Sequence, residues 1–166
     1  KEIIMYNIPV ENVRNFVLGG HSGSGKTALT DALAYKLGLN DRLGSPANGT
    51  SISEFTEEEK AGKTSLFSTT FSSKYAVNGK EHFLYFTDAP GYMDFYGQLR
   101  SASRAADSGV LVVDAAGGIQ VGTRRAWRCF KQTDVVSRAI VVTGLDKDNT
   151  DYAKVIDAIR GAFGIG

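Results

Sequence analysis

Eight consecutive residues, Gly20-His21-Ser22-Gly23-Ser24-Gly25-Lys26-Thr27, have the types and spacing of a phosphate-binding loop, G-x-x-x-x-G-K-[ST]. Glycines let successive backbone N–H groups turn inward on phosphate oxygens, and a following helix adds its positive dipole end. His21, Ser22, Gly23, Ser24, Gly25, Lys26, Thr27 and Ala28 are therefore expected to wrap the phosphates of a nucleotide. Lys26 would reach the β- and γ-phosphates, and the Thr27 hydroxyl would hold Mg²⁺.

A second run fits the same chemistry. The apolar stretch Phe83-Leu84-Tyr85-Phe86-Thr87 leads into Asp88-Ala89-Pro90-Gly91. Asp88 there can hold the Mg²⁺ shell, and the Gly91 N–H can bond a γ-phosphate at a distance only glycine permits. Asp, Pro and Gly are also common where any strand turns, so this run gains its meaning from the loop upstream. Thr64 stands where a nucleotide switch places a Mg²⁺-binding threonine. Seven serines and threonines fall within 63–73, so chemistry alone does not select it.

These residues need elements to hold them. Arg14-Asn15-Phe16-Val17-Leu18 reads as part of a buried strand over 14–19, and apolar residues at helical spacing predict a helix over 25–38. Residues 39–63 are polar and aperiodic, a length of irregular chain that is usually functional. Strands are predicted over 65–77 and 80–87, with Asn78-Gly79 as a hairpin turn. A helix over 94–106, a strand over 109–113, a helix over 119–131, a strand over 138–143 and a helix over 151–162 follow. The order β-α-β-β-α-β-α-β-α predicts an α/β, doubly wound, mostly parallel sheet with one antiparallel hairpin strand and helices on both faces.

The 166 residues form one domain with 19 basic and 18 acidic side chains. That balance makes no electrostatic case for nucleic-acid or membrane binding. A lone cysteine, Cys129, rules out an internal disulfide, suits a reducing compartment and reads as a packed core thiol beside Trp127 and Phe130. No signal peptide and no long apolar run is evident, so a cytoplasmic location is expected. The chain begins at Lys1, which suggests trimming.

Together the motifs resemble the G domain of translational GTPases, a P-loop NTPase fold, and within that family the elongation factor G group and its elongation factor G-like paralogues. The similarity runs from about Asn12 to Phe163. It is most specific at residues 20–27, at Asp88-Ala89-Pro90-Gly91-Tyr92-Met93-Asp94-Phe95 and at Val113-Asp114-Ala115-Ala116-Gly117-Gly118-Ile119-Gln120. The resemblance implies GTP and GDP as ligands, Mg²⁺ as the metal and the ribosome as partner of the parent protein. It lays the family's R-G-I-T-I segment on Ala61-Gly62-Lys63-Thr64-Ser65 and so selects Thr64 as the metal-side threonine. Lys26, Gly91 and Tyr92 fall at the catalytic positions. It also implies an incomplete G domain, since a further strand, a base-contacting loop and the translocation domains would follow Gly166.

Four departures stand out. Tyr92 replaces the family's water-positioning histidine. Ser22 and Lys63 fall at two usually apolar positions that gate it. Gly23 replaces an aspartate. The base-reading N-K-x-D motif is Thr143-Gly144-Leu145-Asp146. Asp146 would still accept from the paired N–H donors of guanine, while the bracing asparagine and the lysine that packs along the base are missing. A shifted register, Asp146-Lys147-Asp148-Asn149, reverses acid and amide and is not adopted. Three functions stay open at this point: a GTP-hydrolysing switch, a nucleotide-binding paralogue with little or no hydrolysis, and a P-loop small-molecule kinase.

Overall fold

The computed structural model describes residues 8–148 and 150–165. Strand β1 (Val13–Gly20) leads to helix α1 (Lys26–Lys36). A long connection then holds the short helix α2 (Glu57–Gly62) before the hairpin β2 (Thr69–Val77) and β3 (Lys80–Asp88). Helix α3 (Tyr96–Ala105), strand β4 (Ser108–Asp114), helix α4 (Val121–Gln132), strand β5 (Ser137–Thr143) and helix α5 (Tyr152–Phe163) complete the chain. Each strand and long helix expected from periodicity is present, with bounds moved by a few residues. Asn78 and Gly79 both adopt positive φ, 51° and 76°, as a tight hairpin turn requires.

The five strands lie in the order β2-β3-β1-β4-β5. Only β2 runs antiparallel to its neighbour, with Thr69 opposite Asp88 and Val77 opposite Lys80. Chain order reverses at β1, which pairs in parallel with β3 on one side and β4 on the other. Open α/β sheets bind ligands at such a switch point, beyond the carboxyl ends of the strands.

Strand alternation splits the buried residues between two faces. Val17, Leu111 and Val113 join Leu99 of α3, Ala126, Cys129 and Phe130 of α4, and Val155 and Ile159 of α5 in one core. Leu18, Phe86 and Val112 point to the other face and are equally buried, with α1 packed there against β1 and β3. Cys129 is a core thiol, as its neighbours in the sequence suggest. Among the described residues, no helix is long and apolar enough to cross a membrane.

The connection between α1 and β2 is more ordered than its composition suggests. Helix α2 opens on a capping box: the Thr56 hydroxyl accepts from the Glu59 N–H, and the Glu59 carboxylate accepts from the Thr56 N–H. The T-x-x-E signature at 56–59 is visible in the sequence but is outweighed there by the polar, aperiodic surroundings.

Candidate functional site

Four strands deliver their last residues to one end of the sheet. Gly20 ends β1 and opens the loop that turns into α1, Asp88 ends β3, Asp114 ends β4 and Thr143 ends β5. Around the loop lies a cleft of about 360 Å³, lined by Ser22, Lys26, Thr27, Glu54, Ser65 and Gly91 among others. Lys26 is buried, and its ammonium donates to the His21 carbonyl across the loop at 2.8 Å. Burial pushes its pKa down to about 8, against the pull of the Asp88 carboxylate. The Asp88 charge does not offset the burial, and a bound phosphate would add negative charge at the ammonium.

Gly91 closes over the same ammonium. A Cβ at residue 91 would sit 2.5 Å from the Lys26 Nζ and 2.7 Å from the Ser22 N, so only glycine fits. The D-x-P-G run thus packs its glycine directly against the phosphate-loop backbone and its lysine. Tyr92 follows in extended conformation, 48% exposed, ahead of a single 3₁₀ turn at Met93–Phe95.

Buried carboxylates and hydroxyls gather beside the loop. Asp88 is 1% exposed, and neither carboxylate oxygen completes a hydrogen bond. Burial raises its pKa to about 6, while Lys26 and the nearby Thr27 and Ser53 hydroxyls oppose the rise. Glu54, 2% exposed, also has an oxygen, Oε2, without a partner. Burial and then the Asp88 charge raise its pKa, with the Ser65 hydroxyl acting against them. Two buried carboxylates with orphaned oxygens, flanked by hydroxyls, form a hard oxygen donor set that fits Mg²⁺. Glu54 escaped the sequence reading because a single acid in a polar stretch carries no motif.

The hydroxyl beside Thr27 differs from the one selected by resemblance. Ser65 Oγ lies 3.0 Å from Thr27 Oγ1 and is buried. Thr64 also lines the cleft, but it is the less buried of the two and its N–H closes the end of α2 on the Glu59 carbonyl. Helix α2 ends at Lys63 in the left-handed region, φ 49°, the position glycine favours at a helix end. That turn brings the Ser65 side chain to the Thr27 hydroxyl. Ser22 and Lys63, the two polar replacements, both border the cleft.

Two carboxylates pin the connection that carries Ser65. Asp31 of α1, buried, accepts from the Ser51 hydroxyl at 3.1 Å and the Ile52 N–H at 3.0 Å. Glu59, fully buried, accepts from the N–H groups of Phe55, Thr56, Leu66 and Phe67 and from the Thr56 hydroxyl. Burial pushes the Glu59 pKa up, but those hydrogen bonds outweigh it and hold the carboxyl below its ordinary 4.5.

Beyond the phosphate cleft, Thr143 hydrogen-bonds to the loop itself. Its hydroxyl donates to the Ser24 carbonyl at 2.7 Å, with the Val113 carbonyl 3.2 Å away. The brace assigned to a missing asparagine is therefore present in another form. Asp146 stands exposed in the turn after Gly144, within the same loop. Asn149, part of the rejected shifted register, lies outside the described residues.

Residues 11–164 match the family model described as the Elongation factor Tu GTP binding domain. Two curated relatives, each called an elongation factor G-like protein, come from Mycobacterium tuberculosis strains CDC 1551 / Oshkosh and ATCC 25618 / H37Rv. Each is 37% identical over 155 residues, 92% of this chain and 21% of its own length. The crystal structure of a Thermus thermophilus protein superposes with a TM-score of 0.81 and 40% identity, covering 91% of this chain and 22% of that one. The chain thus spans about a fifth of the length of these proteins.

Proposed function

This chain belongs to the family of elongation factor Tu GTP binding domains, and we propose that it is the GTP-binding, GTP-hydrolysing switch of an elongation factor G-like translation factor that acts on the ribosome. The observation that carries this reading is the buried Lys26, set between the orphaned Asp88 carboxylate and the close approach of Gly91. In this reading the loop from His21 to Ala28 wraps the phosphates and Lys26 neutralises the β- and γ-phosphates. The Gly91 N–H meets the γ-phosphate. Thr143 steadies the loop, and Asp146 accepts from the paired donors on the guanine edge.

Thr27, Ser65 and Asp88, with Glu54 behind them, are the residues that would hold Mg²⁺. The bound ion would neutralise charge on the β- and γ-phosphates. Ser65 takes the metal-side role, on the strength of its contact with Thr27.

Hydrolysis transfers the γ-phosphoryl group to water, breaking the bond to the β-phosphate oxygen and leaving GDP and phosphate. Such a transfer depends on positioning and charge stabilisation. Tyr92 offers a hydroxyl to the attacking water but no positive charge. Ser22 and Lys63 at the cleft border make no apolar gate to fix that side chain. Hydrolysis is therefore slow, and the exposed Tyr92 favours, as second reading, a nucleotide-binding paralogue that changes shape with little turnover. Single-turnover GTP hydrolysis by the full-length protein, with and without ribosomes, tests this. The reading expects a slow rate that Tyr92→His raises. A fast native rate that Tyr92→His abolishes would make the tyrosine a working substitute and remove the second reading.

A further inference from the structure

The ends of β4 and β5 carry an arrangement that the phosphate cleft does not use. Ala115 N–H donates to the Thr143 carbonyl at 2.8 Å and locks the two strand ends together. Asp114, 16% exposed, accepts from the Gly117 N–H at 2.8 Å through one oxygen. Its other oxygen accepts from the Lys147 ammonium at 2.7 Å. Between the two lies Gly144, at φ 68°. A Cβ there would meet Asp114 Oδ1 at 2.6 Å and the Lys147 stem, Cε at 3.1 Å and Cδ at 3.3 Å. The lysine stem therefore runs across the space a side chain at 144 would fill. The Thr150 hydroxyl closes the turn by donating to the Lys147 carbonyl at 2.9 Å.

The location points to a ligand. Thr143, the residue before this glycine, hydrogen-bonds to the phosphate loop, so a nucleoside leaving the phosphates on this side passes the 144–147 turn. A flat base needs an apolar surface along one face and polar groups at its edge. The methylenes of Lys147 supply the first and the exposed Asp146 the second. Asp114 holds the ammonium, which limits the freedom the long side chain would lose on binding.

We propose that Lys147, tethered by Asp114 across Gly144, is the platform on which the purine of the nucleotide lies. Gly144 is then a requirement of the platform, and the lysine is supplied from three residues further along the chain. This rests on the guanine-nucleotide reading above.

The test separates the two halves of the nucleotide. GDP binding to the full chain is measured by calorimetry, and inorganic tripolyphosphate is titrated separately as a probe of the phosphate half. Lys147→Ala should weaken GDP about tenfold and leave tripolyphosphate unchanged, and Asp114→Asn should give a smaller loss in the same direction. Lys147→Arg, which keeps both stem and charge, should restore most of the affinity. Unchanged GDP affinity in Lys147→Ala overturns the proposal, as does an equal loss for GDP and tripolyphosphate, which would mark mere support of the loop. A native chain that binds tripolyphosphate but not GDP overturns it as well. A native chain that binds neither overturns the nucleotide site itself.

Discussion

At the scale of single residues, the site is a problem of uncompensated charge. Lys26, Asp88 and Glu54 are taken out of water together, and the one ammonium cannot satisfy two carboxylates. Phosphate and a divalent cation would resolve the imbalance, which makes the metal-side hydroxyl a sharp test. Ser65→Ala should raise the Mg²⁺ concentration needed for tight GTP binding about tenfold, the loss of one oxygen partner, while Thr64→Ala leaves it nearly unchanged. A Mg²⁺ titration of nucleotide release checks both, and the reverse ranking would return the role to Thr64. Lys26, Asp88 and Gly91 stand out in the sequence because phosphate chemistry demands their types and spacing, whereas Glu54, a single acid in a polar stretch, does not. Ser65 was not legible. Hydroxyl residues crowd that stretch, and the choice depends on the left-handed turn at Lys63, which no spacing reveals.

At the scale of elements, the connection carrying Ser65 is organised by Glu59. Its carboxylate accepts on both sides of α2, from 55–56 and from 66–67, and so fixes the residue next to Ser65. Glu59→Ala leaves these donors unpaired and should cost about 3 kcal/mol. Hydrogen exchange should show the loss as faster exchange at 55–67, with the strands little affected. The carboxyl has a folded pKa below its ordinary 4.5, so its contribution is complete above that value. It is lost as pH falls through the lowered pKa. In Glu59→Gln this acid-dependent part of the stability curve should vanish, as chemical denaturation between pH 3 and 6 would reveal. Strands and long helices were legible because each has an apolar period. Helix α2 has six residues, too few for a period, and only its capping box announced it.

At the scale of the whole molecule, a sheet whose order reverses at β1 must gather its carboxyl ends around one loop, and Phe130 keeps the helices on that sheet. Its ring fills the space over two glycines of the strands: a Cβ at Gly109 would meet it at 2.8 Å and one at Gly19 at 2.7 Å. Phe130→Ala should cost 3–5 kcal/mol, about the usual penalty for a buried ring, and Gly109→Ala about 1–3 kcal/mol through overpacking. Both are read from denaturant midpoints, and neither should alter nucleotide affinity while the chain stays folded. The topology was legible from the order of periodic segments, whereas the two-faced core depends on which strands become neighbours. The central claim is a guanine-nucleotide switch built on Lys26, and calorimetric titration of the chain with GDP, GTP and ATP, each with and without Mg²⁺, tests it most directly. GDP and GTP should bind, GTP more dependent on Mg²⁺, with ATP far weaker and all binding lost in Lys26→Ala. Equal binding of ATP and GTP, or GDP binding that survives Lys26→Ala, would contradict it.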